Sequence, residues 1–119
     1  MARILVVDDE PAQRFMLRRI LERAGHEVAD AGDGAAALRA VRESAPDLVV
    51  TDMMMPVMGG SELIRQLRCE PATAGIPILA VSGDPHLAVG ADAIIPKPYR
   101  AEHLAEAADE LLRKGRGLR

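Results

Sequence analysis

Short aliphatic runs recur along this chain, all but the last two separated by a segment of helical period. The runs are "RILVV" (3–7), "DLVV" (47–50), "IPILAV" (76–81) and "DAII" (92–95), with a weaker one at "HEVAD" (26–30). Runs of this length rich in Val and Ile read as strands, and unbroken apolar character argues for strands covered on both faces. That description fits the first, third and fourth strands in chain order. No other feature limits the possible folds as sharply.

The intervening segments carry the 3.6-residue period. In 11–24 the apolar positions Phe15, Met16, Leu17, Ile20, Leu21 and Ala24 are read as one face, with Arg14, Arg18, Glu22 and Arg23 on the other. Pro11 suits the first turn and Gly25 the stop. In 34–44 Asp33 can cap and Ala37, Leu38 and Val41 form the stripe. In 61–69 Ser61 can cap, with Leu63, Ile64 and Leu67 facing inward, and 101–113 repeats the pattern with Leu104, Ala107, Ala108, Leu111 and Leu112. Strands alternating with helices predict a parallel sheet with helices on both faces, joined by right-handed crossovers. The rhythm fails once. Only "SGDPHLAVGA" lies between Val81 and Asp92, with Pro85, Gly83 and Gly90 in it, so the fourth helix is expected to be shortened or missing.

Length and composition bound the rest. The 119 residues suit one domain, with no linker, repeat or low-complexity stretch. Hydrophobic residues make up 49% and aromatics 2%, so aliphatic and alanine packing must form the core. A net charge of −3 gives no basic footprint for direct nucleic-acid binding. The cationic tail, Arg113, Lys114, Arg116 and Arg119, reads as a frayed end. The single cysteine, Cys69, cannot form an internal disulfide. With no signal peptide and no membrane-length apolar run, the expectation is a cytoplasmic domain.

In an open sheet of this kind ligands bind beyond the carboxyl ends of the strands. Asp8, Asp9 and Glu10 come after the first strand, Asp52 the third, Ser82 the fourth and Lys97 the fifth. The second ends in Asp30 and Ala31 without comparable chemistry. Taken singly, each polar residue reads as a solvated strand end or a cap. Taken together they are complementary. Close carboxylates repel one another unless a cation is shared, and a hard divalent cation with oxygen ligands, Mg²⁺ above all, relieves this while leaving room for a phosphoryl oxygen. Lys97 can meet a phosphate or pair with Asp52 in its absence. Ser82 can donate to a phosphoryl oxygen, and a carboxylate can attack phosphorus to give an acyl phosphate.

This pattern resembles the receiver domains of two-component response regulators. The matching stretches are "VVDDE" (6–10), "DMMMPVMGG" (52–60), "AVSG" (80–83), "GAD" (90–92) and "KPY" (97–99), in family order and over nearly the whole chain. The resemblance implies a doubly wound five-stranded parallel sheet, flavodoxin-like, in the order 2-1-3-4-5. It implies Asp52 as phosphoacceptor, Asp9 as a direct Mg²⁺ ligand, Asp8 acting largely through water, and the backbone carbonyl of Met54 as the remaining protein ligand. Ser82 stands at the family's Thr or Ser, and Lys97 at its lysine, with the bond to Pro98 cis. The implied donor is a histidine kinase or histidine phosphotransfer protein, and the receiver itself catalyses transfer and autodephosphorylation. The output partner is not legible, and the expected state is a monomer or weak dimer. Three features depart from the family. Ile94 replaces the usual Tyr or Phe of the switch, the fourth helix is short, and Gly59 replaces the usual Asp or Asn.

The remaining features read more plainly. His26 and His103 are assigned solvated or packing roles, whereas His86 and Asp84 lie beside the expected site, with influence on the access of the attacking water as the functional alternative for them. "GDGAA" (32–36) reads as a turn and helix cap, and Met53, Met55 and Met58 as loop packing. Two other functional classes fit part of the pattern. A small-molecule aspartate phosphohydrolase would favour D-x-D, where this chain has Met54, and would need a cap domain. A pseudo-receiver acting only as an interaction module would not need the full set Asp8, Asp9, Asp52 and Lys97.

Overall fold

The computed structural model describes residues 2–55, 58–84, 86 and 88–115; Pro56, Pro85, Arg116 and Arg119 lie outside them. The chain runs β1 (Arg3–Val7), α1 (Pro11–Arg23), β2 (Glu27–Ala31), α2 (Gly34–Glu43), β3 (Leu48–Asp52), α3 (Gly60–Cys69), β4 (Ile78–Ser82), β5 (Ala93–Pro96) and α4 (Ala101–Lys114). The strands form one sheet in the order β2-β1-β3-β4-β5, and every pairing is parallel. This is the doubly wound order that the resemblance implies.

Burial follows position in the sheet. β3 and β4 are buried at every residue, whereas β2 and β5, at the edges, are only partly buried. Successive side chains point to opposite faces. Leu5, Val7, Val49, Ile78 and Ala80 therefore pack under α2 and α3, with Leu38, Val41, Leu63, Ile64 and Leu67. Ile4, Val6, Leu48, Val50, Leu79, Val81 and Ile95 pack on the other face against Leu17 and Leu21 of α1 and Leu104, Ala108 and Leu111 of α4. Each fully buried aliphatic side chain contributes about 2 kcal/mol, so the core needs no aromatic ring. Among the described residues no helix is long and apolar enough to cross a membrane.

Helix ends follow local chemistry. Asp33 caps α2, its carboxylate accepting from the Ala36 N–H at 2.8 Å. Pro11 opens α1, and Gly25 follows its end at φ 97°, where a side chain would be strained. Ser61 is not the cap of α3: Gly59 holds that position, and Ser61 lies within the first turn.

The α1 stripe is narrower than the sequence suggests. Leu17 and Leu21 are buried, but Phe15 and Met16 are exposed, with the Arg19 guanidinium carbon 5.7 Å from the Phe15 ring centre. Each residue turns a helix by roughly 100°, so Leu17, Ile20 and Leu21 share one side while Phe15 lies nearly opposite Leu17. Apolar composition counted Phe15 as core; rotation about the helix axis excluded it.

Among the described residues no α-helix lies between β4 and β5. The connection is pinned by Arg68, near the end of α3. Its guanidinium donates to the carbonyls of Ala74, Ile76 and Gly90 and pairs with Asp92 at 2.7 Å. The same Asp92 oxygen accepts the Ile78 N–H at 2.8 Å. Beside this connection Ile94 is 40% exposed, and within it Val89 is 82% exposed.

Candidate functional site

The parallel register brings the carboxyl ends of the strands level. Val7 pairs with Thr51 and Asp52 with Val81, so Asp8, Asp52 and Ser82 emerge side by side. The ladder reaches one residue beyond β1, where the Asp8 N–H donates to the Ala31 carbonyl at 3.2 Å. Asp8 and Asp52 are buried and Asp9 is exposed, and one carboxylate oxygen from each lies within 4.8 Å of the others. Lys97, the first residue after β5, brings its ammonium 2.8 Å from Asp52 Oδ1. Its peptide bond to Pro98 is cis. The Thr51 hydroxyl donates to the Asp52 carbonyl at 2.7 Å, fixing the strand end from below.

The electrostatics follow from this crowding. Burial is the main cause that raises the Asp8 carboxyl above its ordinary value of 3.8. The Glu10 N–H, donating to Asp8 Oδ1 at 2.9 Å, works in the other direction. The negative charge of Asp52 raises it again, Lys97 lowers it, and Asp9 raises it. Burial also pushes the Tyr99 hydroxyl up, with the charge of Asp8 adding to it. A carboxyl whose value is raised by folding stabilises the fold in its protonated form. That contribution is fully present below the unfolded value and is lost as pH rises through the folded one. Ionised Asp8 therefore costs stability at neutral pH when no cation shares its charge. Asp8→Asn, which can keep the Glu10 bond, is expected to raise the Tm of metal-free protein by a few degrees near neutral pH. The gain should shrink as the pH approaches the ordinary carboxylate range. Thermal melts across this interval check it, and a lower Tm for the variant at neutral pH would refute the sign.

These groups meet the requirements of a hard divalent cation. Three carboxylates provide oxygen donors, one of them is raised in part by the others' charge, and Lys97 offsets only part of the excess. Asp8, Asp9 and Asp52 are the residues that could hold such an ion.

The other expected residues are placed less simply. Ser82 ends β4 beside Asp52, but its hydroxyl is engaged within its own loop. It donates to the Asp84 carbonyl at 2.9 Å and accepts the Asp84 N–H at 3.0 Å. Met54 follows the buried Met53 and exposes its side chain. Met55 and Met58 pack against the α2–α3 side of the core, so these thioethers fill space. His86 and His103 are exposed. His26 is instead largely buried: its Nδ1 accepts the Ala2 N–H at 3.2 Å and its Nε2 lies 2.8 Å from Asp109 of α4. Cys69 is exposed at the end of α3.

Two contacts at the site were not legible in the sequence. Gln13 Oε1 lies 3.4 Å from Lys97 Nζ, and the Arg14 guanidinium donates to the Asp8 carbonyl at 2.8 Å. Both side chains rise from the first turns of α1. Their position just after "DDE" is the one signal that could have found them.

Comparison with known proteins decides the family. A family model for the response regulator receiver domain matches residues 4–109. The chain belongs to that family. The receiver is 40% identical over 119 residues to the DNA-binding response regulator MtrA of Mycolicibacterium smegmatis, an alignment covering 94% of this chain and 51% of the relative. Response regulator MprA of Mycobacterium sp. (strain KMS) is likewise 40% identical, with 94% and 51% covered. The receiver thus spans about half the length of these curated relatives. Among solved structures it is similar to chemotaxis response regulator CheY4 of Vibrio cholerae, with TM-score 0.87, 32% identity, and 93% of this chain and 98% of that one covered. A putative response regulator from Chloroflexus aurantiacus superposes with TM-score 0.89 at 29% identity, covering 94% and 98%.

Proposed function

We propose that this receiver is a phosphoacceptor switch in which Asp52 takes a phosphoryl group from a phosphohistidine donor, with Mg²⁺ required. The observation that carries the reading is the meeting of Asp8, Asp9 and Asp52 within 4.8 Å, with the Lys97 ammonium 2.8 Å from Asp52 Oδ1. An Asp52 carboxylate oxygen forms the bond to phosphorus as the bond from phosphorus to the donor's imidazole nitrogen breaks, and the electron pair leaves with the imidazole. Lys97, already held by Asp52, has its positive charge where negative charge would develop on the acyl phosphate oxygens. Bound Mg²⁺ would neutralise charge on the transferred group. The ion would be held by Asp9 and Asp52, by Asp8 largely through water, and by the Met54 carbonyl.

Phosphorylation then biases the loops after β4 and β5. Ser82, now bonded to Asp84, would have to leave it to reach a phosphoryl oxygen. Ile94, at the place of the family's switch aromatic, offers no ring to move when Ser82 turns, so the change would rest on the loops after β4 and β5 themselves. The donor is a histidine kinase or histidine phosphotransfer protein in the cytoplasm. The relatives named as DNA-binding response regulators make DNA binding by a partner segment the first output to examine.

Incubation with acetyl phosphate and Mg²⁺ followed by intact-mass measurement tests the reading. A single phosphoryl adduct is expected, and EDTA should suppress it. No adduct with Mg²⁺ present would refute the assignment.

A further inference from the structure

The second strand carries no candidate metal ligand, yet it is tied to the acidic pocket through one side chain. Arg14 Nη1 donates to the backbone carbonyl of Asp8 at 2.8 Å, and its Nε lies 3.7 Å from Asp30 Oδ1 at the end of β2. Asp30 is itself held by Arg18 at 2.8 Å. Gly32, just past β2, leaves the space the guanidinium occupies: a Cβ there would stand 3.2 Å from Arg14 Nη1. We propose that Arg14 is a positioning residue for the metal site, fixing the Asp8 main chain so that the Asp8 and Asp9 carboxylates converge on Asp52. The inference rests on the Mg²⁺-dependent reading given above.

The physical argument concerns what holds Asp8 once the ladder ends. Its N–H is the last to find a partner across the sheet, at Ala31. Beyond that point its carbonyl has left strand geometry in a partly buried place, where an unpaired acceptor is costly. A guanidinium supplies a charge-assisted bond of defined direction. Asp8 is then fixed at three points: N–H to Ala31, carbonyl to Arg14, and carboxylate to the Glu10 N–H. The Arg14 main chain is itself fixed by the first helical bond of α1, its N–H donating to the Glu10 carbonyl at 2.9 Å. Arg14 meets the main chain of Asp8, so it acts by orientation, as outer contacts around a metal do. "GDG" at 32–34 gains a second role here: beside capping α2, it keeps the guanidinium's place open.

The experiment measures Mg²⁺ affinity by titration calorimetry on wild type, Arg14→Met, Arg14→Lys and Asp30→Asn. Arg42→Met serves as control, because it removes an exposed ion pair to Glu70 away from the site. Melting temperatures and hydrogen exchange at the Glu10 amide in metal-free protein are recorded alongside. Arg14→Met should weaken Mg²⁺ binding about tenfold and speed exchange at Glu10. Arg14→Lys should recover part of the affinity, because an ammonium can donate to a carbonyl but cannot also fork toward Asp30. Asp30→Asn should fall between Arg14→Met and wild type. Wild-type affinity in Arg14→Met, or an equal loss in Arg42→Met, would overturn the proposal. A wild type that takes up no Mg²⁺ refutes the metal-dependent reading and this inference together, whereas uptake that Arg14→Met leaves unchanged refutes only the role of Arg14.

Discussion

Asp52→Asn is expected to abolish the phosphoryl adduct completely while leaving the fold intact. An acyl phosphate needs a carboxylate nucleophile, and an amide oxygen does not replace it. The substitution is close to isosteric, and its oxygen can still accept from Lys97 Nζ, now 2.8 Å from Asp52 Oδ1. It also removes a negative charge that raises Asp8. The Tm of metal-free Asp52→Asn should therefore equal or exceed that of wild type. Intact mass after incubation with acetyl phosphate, together with a thermal melt, separates loss of chemistry from loss of structure. An adduct that persists in the folded variant would place the acceptor elsewhere.

The second large effect is expected at Gly60, and it contrasts with its neighbour. A Cβ on Gly60 would stand 2.6 Å from the Asp52 carbonyl oxygen and 2.8 Å from Met53 Cα. Backbone atoms cannot yield as a flexible side chain can, so α3 or the end of β3 must move. Overpacking of this kind costs about 3 kcal/mol, which should lower the Tm by about 10 °C. Because the displaced atoms belong to Asp52 and Met53, phosphorylation by acetyl phosphate should slow as well. At Gly59 the nearest atom to an added Cβ is the Met53 carbonyl oxygen, at 3.4 Å, and φ is −75°. Gly59→Ala should change stability by less than about 0.5 kcal/mol. Equal melting temperatures for the two alanine variants would refute the close-approach argument.

Those two glycines show how far the letters alone carry. "GG" at 59–60 marks a turn, but only the distance from α3 to the end of β3 tells which glycine is required. The same holds for Phe15 and Met16, whose apolarity suggested burial and whose position around α1 denied it. Ser82 was legible as a polar residue at a strand end, but its bonds to Asp84 were not. Nothing in the residues around Arg68 marked it out, yet it holds the connection in which the described residues form no α-helix.

Local pattern was enough to establish the alternation of strands and helices, the burial of the central strands, and the delivery of Asp8, Asp9, Asp52, Ser82 and Lys97 to one edge of the sheet. These properties are written in periods of two and 3.6 residues and in the polar residues at the end of each apolar run. Folding in three dimensions was needed to establish that the three carboxylates converge, that Lys97 pairs with Asp52, and that Arg14 links the second strand to Asp8. Those contacts join residues on different elements, up to 45 positions apart for Asp52 and Lys97. Distances of that kind are set by how helices and sheet pack, which no short stretch of sequence encodes.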